Sequence, residues 1–446
     1  MLFNSLVFVG FMAVVWPAYL LAPAVLRKYV LLAASLGFYG WWSLRFLGLL
    51  LATSTLDWAV GRAMGRWPAS ARRLAAVSIT ANLAVLGVFK YYNFFAGQFA
   101  LPALAVVLPP GISFYTFQAI GTTVDVAQGR FKPIRRLDDF LLFISFFPHL
   151  VAGPIQRAST LAPQLAHPRR PTSLEVSEGL VLIAWGAFKK VVVADNLAPL
   201  VAAGFDVKGP SGFDVALSAY AFTLQIYGDF SGYSDMARGL ARLFGVQLIQ
   251  NFDVPLYAGS PRELWHRWHI SLSNWLRDYV YLPLGGSRRG IAALNLIVTM
   301  LLGGLWHGAN WTFVVWGAWH GVALAAQRLL GNPEPKGLVR LLTTPLMFHY
   351  TVLGFVIFRV AHVADLGPLW DAAYVNPFPT TGLDYQHLRL FGVLTAPMAL
   401  LDAWLYLRKD VLLLPSAVQP LLAAASLAAV LVLGASTAHS FIYFQF

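Results

Sequence analysis

Long apolar runs separated by short basic stretches organise most of this chain. The runs cover 2–22, 30–61, 74–95, 103–121, 139–152, 178–203, 213–228, 291–305, 311–330, 341–361, 386–407 and 418–437. About 20 consecutive apolar residues let a helix cross a bilayer, and unbroken rather than alternating character selects helices over barrel strands. The pattern therefore predicts an all-α, polytopic helical membrane protein. The run 30–61 would be about 48 Å long as one helix, too much for a single upright crossing. Arg27 and Lys28 precede it, and Arg62, Arg66, Arg72 and Arg73 follow. If both clusters face the cytoplasm, the run must cross twice, turning near Gly40-Trp41-Trp42-Ser43. The short runs 139–152 and 213–228 predict half-helices or re-entrant pieces, tolerated at depth only where they are buried in protein or line a cavity. Pro109-Pro110-Gly111 and Pro148-His149 are expected to break helices.

The rhythm fails over 228–290, where charged residues interleave with Trp265, Trp268 and Trp275. Interfacial or cavity-plugging helices suit that stretch better than long spans. No Gly-, Ser- or Pro-rich linker divides the chain, so 1–446 reads as one integral domain. The first run lacks a basic region ahead of it and reads as a retained span, with the N-terminus outside the cytoplasm.

Composition sharpens the class. Hydrophobic residues make up 58% of the chain and charged ones 12%. That charged fraction is about half the soluble norm, and no single water-soluble core could hide so much apolar surface. The net charge of +12 would suggest nucleic acid in a soluble protein. Here the basic residues sit between spans, as cytoplasmic loops require, and no nucleic-acid role is expected. The absence of cysteine excludes disulfides, thiolate metal sites and a cysteine nucleophile.

Two histidines stand out against this background. His307 ends an apolar run within Leu302-Gly303-Gly304-Leu305-Trp306-His307-Gly308, and His269 lies in the polar island Trp265-His266-Arg267-Trp268-His269-Ile270-Ser271. An ionisable group at bilayer depth marks a cavity or pathway, and imidazole titrates near neutral pH. A general base acting on an attacking hydroxyl is one reading; a neutral histidine bonded to a carbonyl is the other. His266 and His269, three apart, would share a helix face, but no HExxH pattern supports a metal and none is expected. His320 inside Trp316-Gly317-Ala318-Trp319-His320-Gly321 reads as structural. Asp229 and Asp235 either orient an imidazole or cap helices, and Asn274 and Asp278 carry the same two readings. Arg262, Arg267, Arg277, Arg288 and Arg289 flank Gly285-Gly286, a set suited to phosphate oxygens or simply to positive-inside topology. No Walker A, GxSxG or dinucleotide fingerprint is present.

Five separated stretches, taken together, resemble the membrane-bound O-acyltransferase family and its bacterial alginate O-acetyltransferase branch. They are Leu108-Pro109-Pro110-Gly111-Ile112-Ser113-Phe114; Phe146-Phe147-Pro148-His149-Leu150-Val151-Ala152-Gly153-Pro154; Asp229-Phe230-Ser231-Gly232-Tyr233-Ser234-Asp235; Arg267-Trp268-His269-Ile270-Ser271 through Asp278-Tyr279; and Gly303-Gly304-Leu305-Trp306-His307-Gly308. The resemblance runs almost end to end and is densest over 108–321. It implies a funnel of about 11–13 transmembrane or re-entrant helices around a central tunnel. It implies His307 as the signature histidine and His269 as its partner, with Arg262, Arg267, Arg277, Arg288, Arg289, Asp229, Asp235, Asn274 and Trp306 as candidates for donor or substrate binding. The implied donor is acetyl-CoA, with no resident cofactor. The implied acceptor is an extracytoplasmic polysaccharide, alginate-like, reached through a periplasmic or extracellular SGNH-like acetyltransferase partner. The implied location is the bacterial inner membrane. D-alanyl or other acyl transfer to a cell-wall polymer, a transporter of an acyl intermediate and a structural scaffold are the competing readings.

Overall fold

A computed structural model describes residues 1–207, 209–288, 291–375, 377–408, 410–435 and 441–442. Helices account for its regular structure, and no strand occurs among the described residues. Its contacts group into two compact units: Met1–Ile183 with Met236–Ile249, and Ala184–Asp235 with Gln250–Phe446. Among the described residues, Pro68–Gln98, Gly337–Arg359 and Gly382–Arg408 are long and apolar enough to span a membrane by themselves. Leu6–Leu21, Ala292–His307 and Val418–Leu433 are apolar but shorter.

In the first unit the run 30–61 does turn back. Helix Ala24–Gly40 ends at Trp41-Trp42, and Leu44–Arg66 starts at Ser43, whose hydroxyl accepts the Phe46 N–H. The expected helix over 103–121 begins only at Ile112. Pro109 and Pro110 supply no amide hydrogen, and Gly111 is left-handed at φ 73°. A Cβ on Gly111 would come 2.7 Å from the Leu150 carbonyl oxygen, so glycine is required there for space as well as conformation. The segment around Pro148 is short as expected: Leu137–Ser145 stops, and Phe147–Leu150 makes one turn. Several buried polar groups here hold specific partners. Asp57 Oδ1 accepts from Ser78 and Asn82 at 2.6 and 2.8 Å. His149 Nε2 shares a 2.9 Å hydrogen bond with Gln118. Segment 236–249 joins this unit because Tyr19 donates to the Phe244 carbonyl and Trp16 to that of Leu243.

Glu175 lies ahead of the apolar run 178–203 and receives both Arg169 guanidinium nitrogens, at 2.6 and 2.8 Å, together with the Thr172 amide. Arg169 holds the Glu175 carboxyl down at about 2. A carboxyl depressed on folding stabilises the protein above its unfolded value, and that contribution fades as pH falls towards the folded one. Between pH about 4.5 and about 2 the melting temperature of the detergent-solubilised protein should therefore fall. Glu175→Gln should start lower at neutral pH and fall less over that window. Parallel curves for the two proteins would remove this assignment.

One expectation is corrected by the second unit. The run 213–228 is not a half-helix: Gly212–Arg242 forms one 31-residue helix that carries straight through Asp229, Asp235 and Arg238. Buried ion pairs make this possible. Lys189 meets Asp235 at 2.6 Å, and Lys190 meets Asp229 and Asp195 at 2.7 and 2.8 Å. Both lysines sit in the wide π-type turn Phe188–Ala194, which interrupts the helical stretch 173–205. Close backbone approach brings the partners within reach. A Cβ on Gly232 would lie 2.6 Å from the Gly186 oxygen, and one on Gly228 would lie 3.0 Å from that of Lys189.

Candidate functional site

Helices Ala292–His307 and Trp311–Leu329 form an antiparallel hairpin whose tip carries His307. At 16 residues the first arm is about 24 Å long, short of a full crossing. The arms touch through glycine. Cβ atoms on Gly304 and Gly317 would overlap the carbonyl oxygens of Phe313 and Met300, and one on Gly321 would lie 2.9 Å from Ile297 Cα. Asn310 starts the return arm by accepting the Thr312 N–H at 3.2 Å, and its amide donates to the Ala361 carbonyl.

His269 is placed differently. Helix Pro261–Arg267 ends, and Ile270–Leu276 begins, with His269 between them at φ 44°, ψ 53°. A left-handed non-glycine residue costs about 1–3 kcal/mol, held here by surrounding structure. Asn251 supplies that support: its carbonyl accepts the Ile270 N–H, and its Oδ1 accepts both the N–H and the hydroxyl of Ser271. The turn also separates two residues expected to share a face. His266 is exposed, whereas His269 is wholly buried, because the helix stops at Arg267.

The two histidines belong to one aromatic cluster. His269 is 0% exposed and His307 4%, so neither ring is a lipid-facing ornament. Ring centroids run from Phe230 to His269 at 4.6 Å, His269 to Trp306 at 5.7 Å, and Trp306 to His307 at 5.0 Å. Trp316 and Phe358 close over His307 at 5.0 and 5.3 Å. His320 continues the row, 4.7 Å from Trp316 and 5.1 Å from Trp265, with Nδ1 bonded to the Tyr350 hydroxyl. That hydrogen bond tethers the ring to helix Gly337–Arg359. Water is largely excluded around the pair, which strengthens any electrostatic interaction made there.

A cavity of about 550 Å³ lies between the base of the hairpin and the helices on either side of His269. Arg262, His266, Asn274, Arg277 and Arg328 give it a basic, hydrogen-bonding wall. Trp265, Ile270, Leu296 and Met300 form its apolar side, adjoining the histidine cluster. Of the residues singled out from sequence, Arg262, Arg277 and Asn274 therefore converge on this space. Arg277 is also paired with Asp278 at 2.7 Å. Trp306 lies between the histidines rather than on the cavity wall. Arg267 is engaged elsewhere, with Glu263 and Asp253, and stacks on Tyr406 at 4.6 Å. Asp229 and Asp235 serve the buried lysine pairs, and Asp229 also accepts the Ile442 N–H. Arg288 is exposed in the turn 282–288, and Arg289 lies outside the described residues.

Four contributors escaped the sequence reading. Arg328 sat in plain sight as the basic end of an apolar run. Lys189 and Lys190 were visible as two charges inside the run 178–203, a signal for buried pairing. Asn251 left no signal, because its role depends on a turn eighteen residues later in the chain.

The profile described as "MBOAT, membrane-bound O-acyltransferase family" matches residues 136–362, which contain both histidines and the basic cavity. The chain is 43% identical over 381 residues to the probable alginate O-acetylase AlgI of Azotobacter vinelandii, covering 81% of this chain and 76% of that one. It is 40% identical over 430 residues to the protein of the same description in Pseudomonas putida, covering 88% and 87%. A peptidoglycan O-acetyltransferase of Helicobacter pylori is 34% identical over 409 residues, covering 81% and 78%.

Proposed function

The chain belongs to the membrane-bound O-acyltransferase family, and we propose that it moves an acetyl group from acetyl-CoA towards an extracytoplasmic, alginate-like polysaccharide. It is a multi-pass membrane protein and an O-acyltransferase. The observation that carries the finer reading is the buried His269–Trp306–His307 row beside a basic cavity of about 550 Å³. Arg288 ahead of the hairpin and Arg328 near its end favour a cytoplasmic base, which would put the cavity on the side where coenzyme A is found. The nucleotide's phosphates would meet Arg262, Arg277 and Arg328, and the thioester would reach inward along Trp265 and Met300.

His307 would then take the proton of an alcohol as its oxygen attacks the thioester carbonyl carbon. The C–S bond breaks, and coenzyme A leaves as the thiol after taking up a proton. His269 would polarise the carbonyl or hold the alcohol, its ring fixed by the braced turn at Asn251. Support for a polysaccharide destination comes from the relatives described as alginate O-acetylases and as a peptidoglycan O-acetyltransferase. An SGNH-like extracytoplasmic enzyme would complete the transfer, in the inner membrane of a bacterium.

The test is the purified protein in liposomes with acetyl-labelled acetyl-CoA, an alginate oligosaccharide and the extracytoplasmic partner. Label should reach carbohydrate, and its retention on coenzyme A alone would overturn the reading. Arg262→Ala with Arg277→Ala should raise KM for acetyl-CoA by about 10-fold or more, since hydrogen bonds to charged groups contribute ~1.5–3 kcal/mol each. The double variant should also discriminate less between acetyl-CoA and its 3′-dephospho form. An unchanged preference would place the donor elsewhere.

A further inference from the structure

The basic cavity holds a titratable group that acyl transfer, as described above, leaves without a task. His266 lines it beside Arg262, Arg277 and Arg328. Helix Pro261–Arg267 spaces Arg262 and His266 four residues apart, so both side chains leave one helix face towards the same space. The His266 ring is exposed on the cavity wall, where a ligand can reach it, whereas His269 is sealed within the aromatic cluster. The neighbouring charges decide its state. Arg262 and Glu263 come from its own helix, Arg277 from the turn that follows Ile270–Leu276, and Glu334 from the segment after Trp311–Leu329. Arg328 and Tyr281 face the same cavity. Both carboxylates are already engaged: Glu263 with Arg267 and Arg340 at 2.9 Å each, Glu334 with the Ser260 hydroxyl at 2.9 Å. Partial enclosure in the wall, and then Arg262, hold the imidazole below its ordinary value; Arg277 adds to this, and Glu334 and Glu263 oppose it. Among these neighbours the ring is neutral at pH 7.

A phosphate ligand reverses that balance. Coenzyme A carries about four negative charges near neutral pH, close to two on its 3′-phosphate and two on its pyrophosphate. Arg262, Arg277 and Arg328 supply three positive charges, and Arg277 is partly neutralised by Asp278. An imidazolium at His266 supplies a fourth, and an anion within about 4–6 Å favours that charged form. A fourth arginine would instead repel the other three whenever no anion lay between them. We propose that His266 is a contact for the donor's phosphates and takes up a proton as the donor binds, so that acetyl-CoA loads more tightly as pH falls. The inference rests on the acyl-transfer reading above and adds a residue and a proton to its donor site.

The test is calorimetric titration of the full chain in nanodiscs with coenzyme A, in two buffers of different ionisation enthalpy, which counts protons directly. His266→Gln removes the titrating group, and His266→Arg replaces it with a fixed charge. Because the residue is exposed, both variants should keep the wild-type melting temperature. At pH 7 the wild type should take up about half a proton or more beyond either variant, since the 3′-phosphate's own titration is common to all three. Between pH 8 and pH 6 the wild-type Kd should fall by about tenfold relative to that of His266→Gln. His266→Arg should bind coenzyme A with no such excess pH dependence. Equal proton counts in wild type and His266→Gln, or the wild-type pH profile in His266→Arg, overturn the inference alone. If the wild type binds no coenzyme A at any pH, or Arg262→Ala with Arg277→Ala leaves its affinity unchanged, the donor reading of the cavity fails and takes this one with it.

Discussion

His307→Ala is expected to lower acetyl transfer by about 10²–10⁴-fold, the range a positioned general base contributes. The loss should appear in kcat rather than in KM for the thioester, because the basic cavity is lined by other residues. Alanine also leaves a void among Trp306, Trp316 and Phe358, so a stability change would confuse the result. His307→Gln fills most of that space with a polar group that cannot take a proton at neutral pH. A folded His307→Gln protein, monodisperse in detergent with a wild-type melting temperature, should be as inactive as the alanine variant. Transfer within tenfold of wild type in that protein would reduce His307 to a packing residue. His269→Asn is the informative companion. Asparagine tolerates the left-handed backbone at this position, so the turn survives and only the imidazole is lost.

The second large effect concerns folding rather than chemistry. Gly304→Ala and Gly317→Ala each place a methyl group on a backbone oxygen of the opposing arm, at Phe313 and Met300. Backbone cannot rotate away as a side chain does, so the hairpin must open, and overpacking of this kind costs about 1–3 kcal/mol. The double variant should lose most of its folded yield in a detergent melting assay. Gly48→Ala is the control: nothing lies within 4 Å of its added Cβ, and it sits inside helix Leu44–Arg66. There the same substitution should be neutral or stabilising by up to about 1 kcal/mol, the difference in helix propensity. If all three behaved alike, the arms would not be packed as described. Single Gly304→Ala protein that still folds should lose activity as well, because its strain falls one turn from His307.

Helical class, membrane character and the two histidines that prove to be buried in one cluster were legible along the chain. The reason is that bilayer thickness and helix rise are fixed lengths. A mostly apolar run of thirty-two residues between two basic clusters must turn, and the turn falls at Trp41-Trp42-Ser43, where Ser43 caps the next helix. His307 and His269 stood out because ionisable groups are costly among apolar residues whatever the fold around them.

The charges around them were another matter. Asp229, Asp235 and Arg238 looked like the end of a span, yet the helix runs on to Arg242 because Lys189 and Lys190 pair with the two aspartates. Those partners lie some forty positions earlier, in a π-type turn that no periodicity announces. Arg267 resembled Arg262 and Arg277 in sequence but is committed to Glu263 and Asp253. Apolar length and the presence of a costly side chain are properties of a segment, and a sequence by itself determines them. Whether a charge is neutralised, whether a cavity opens beside it, and which imidazole meets which ring depend on neighbours distant along the chain. Only tertiary packing decided these, because hydrogen bonds and van der Waals contacts form only between atoms brought within a few ångströms of each other.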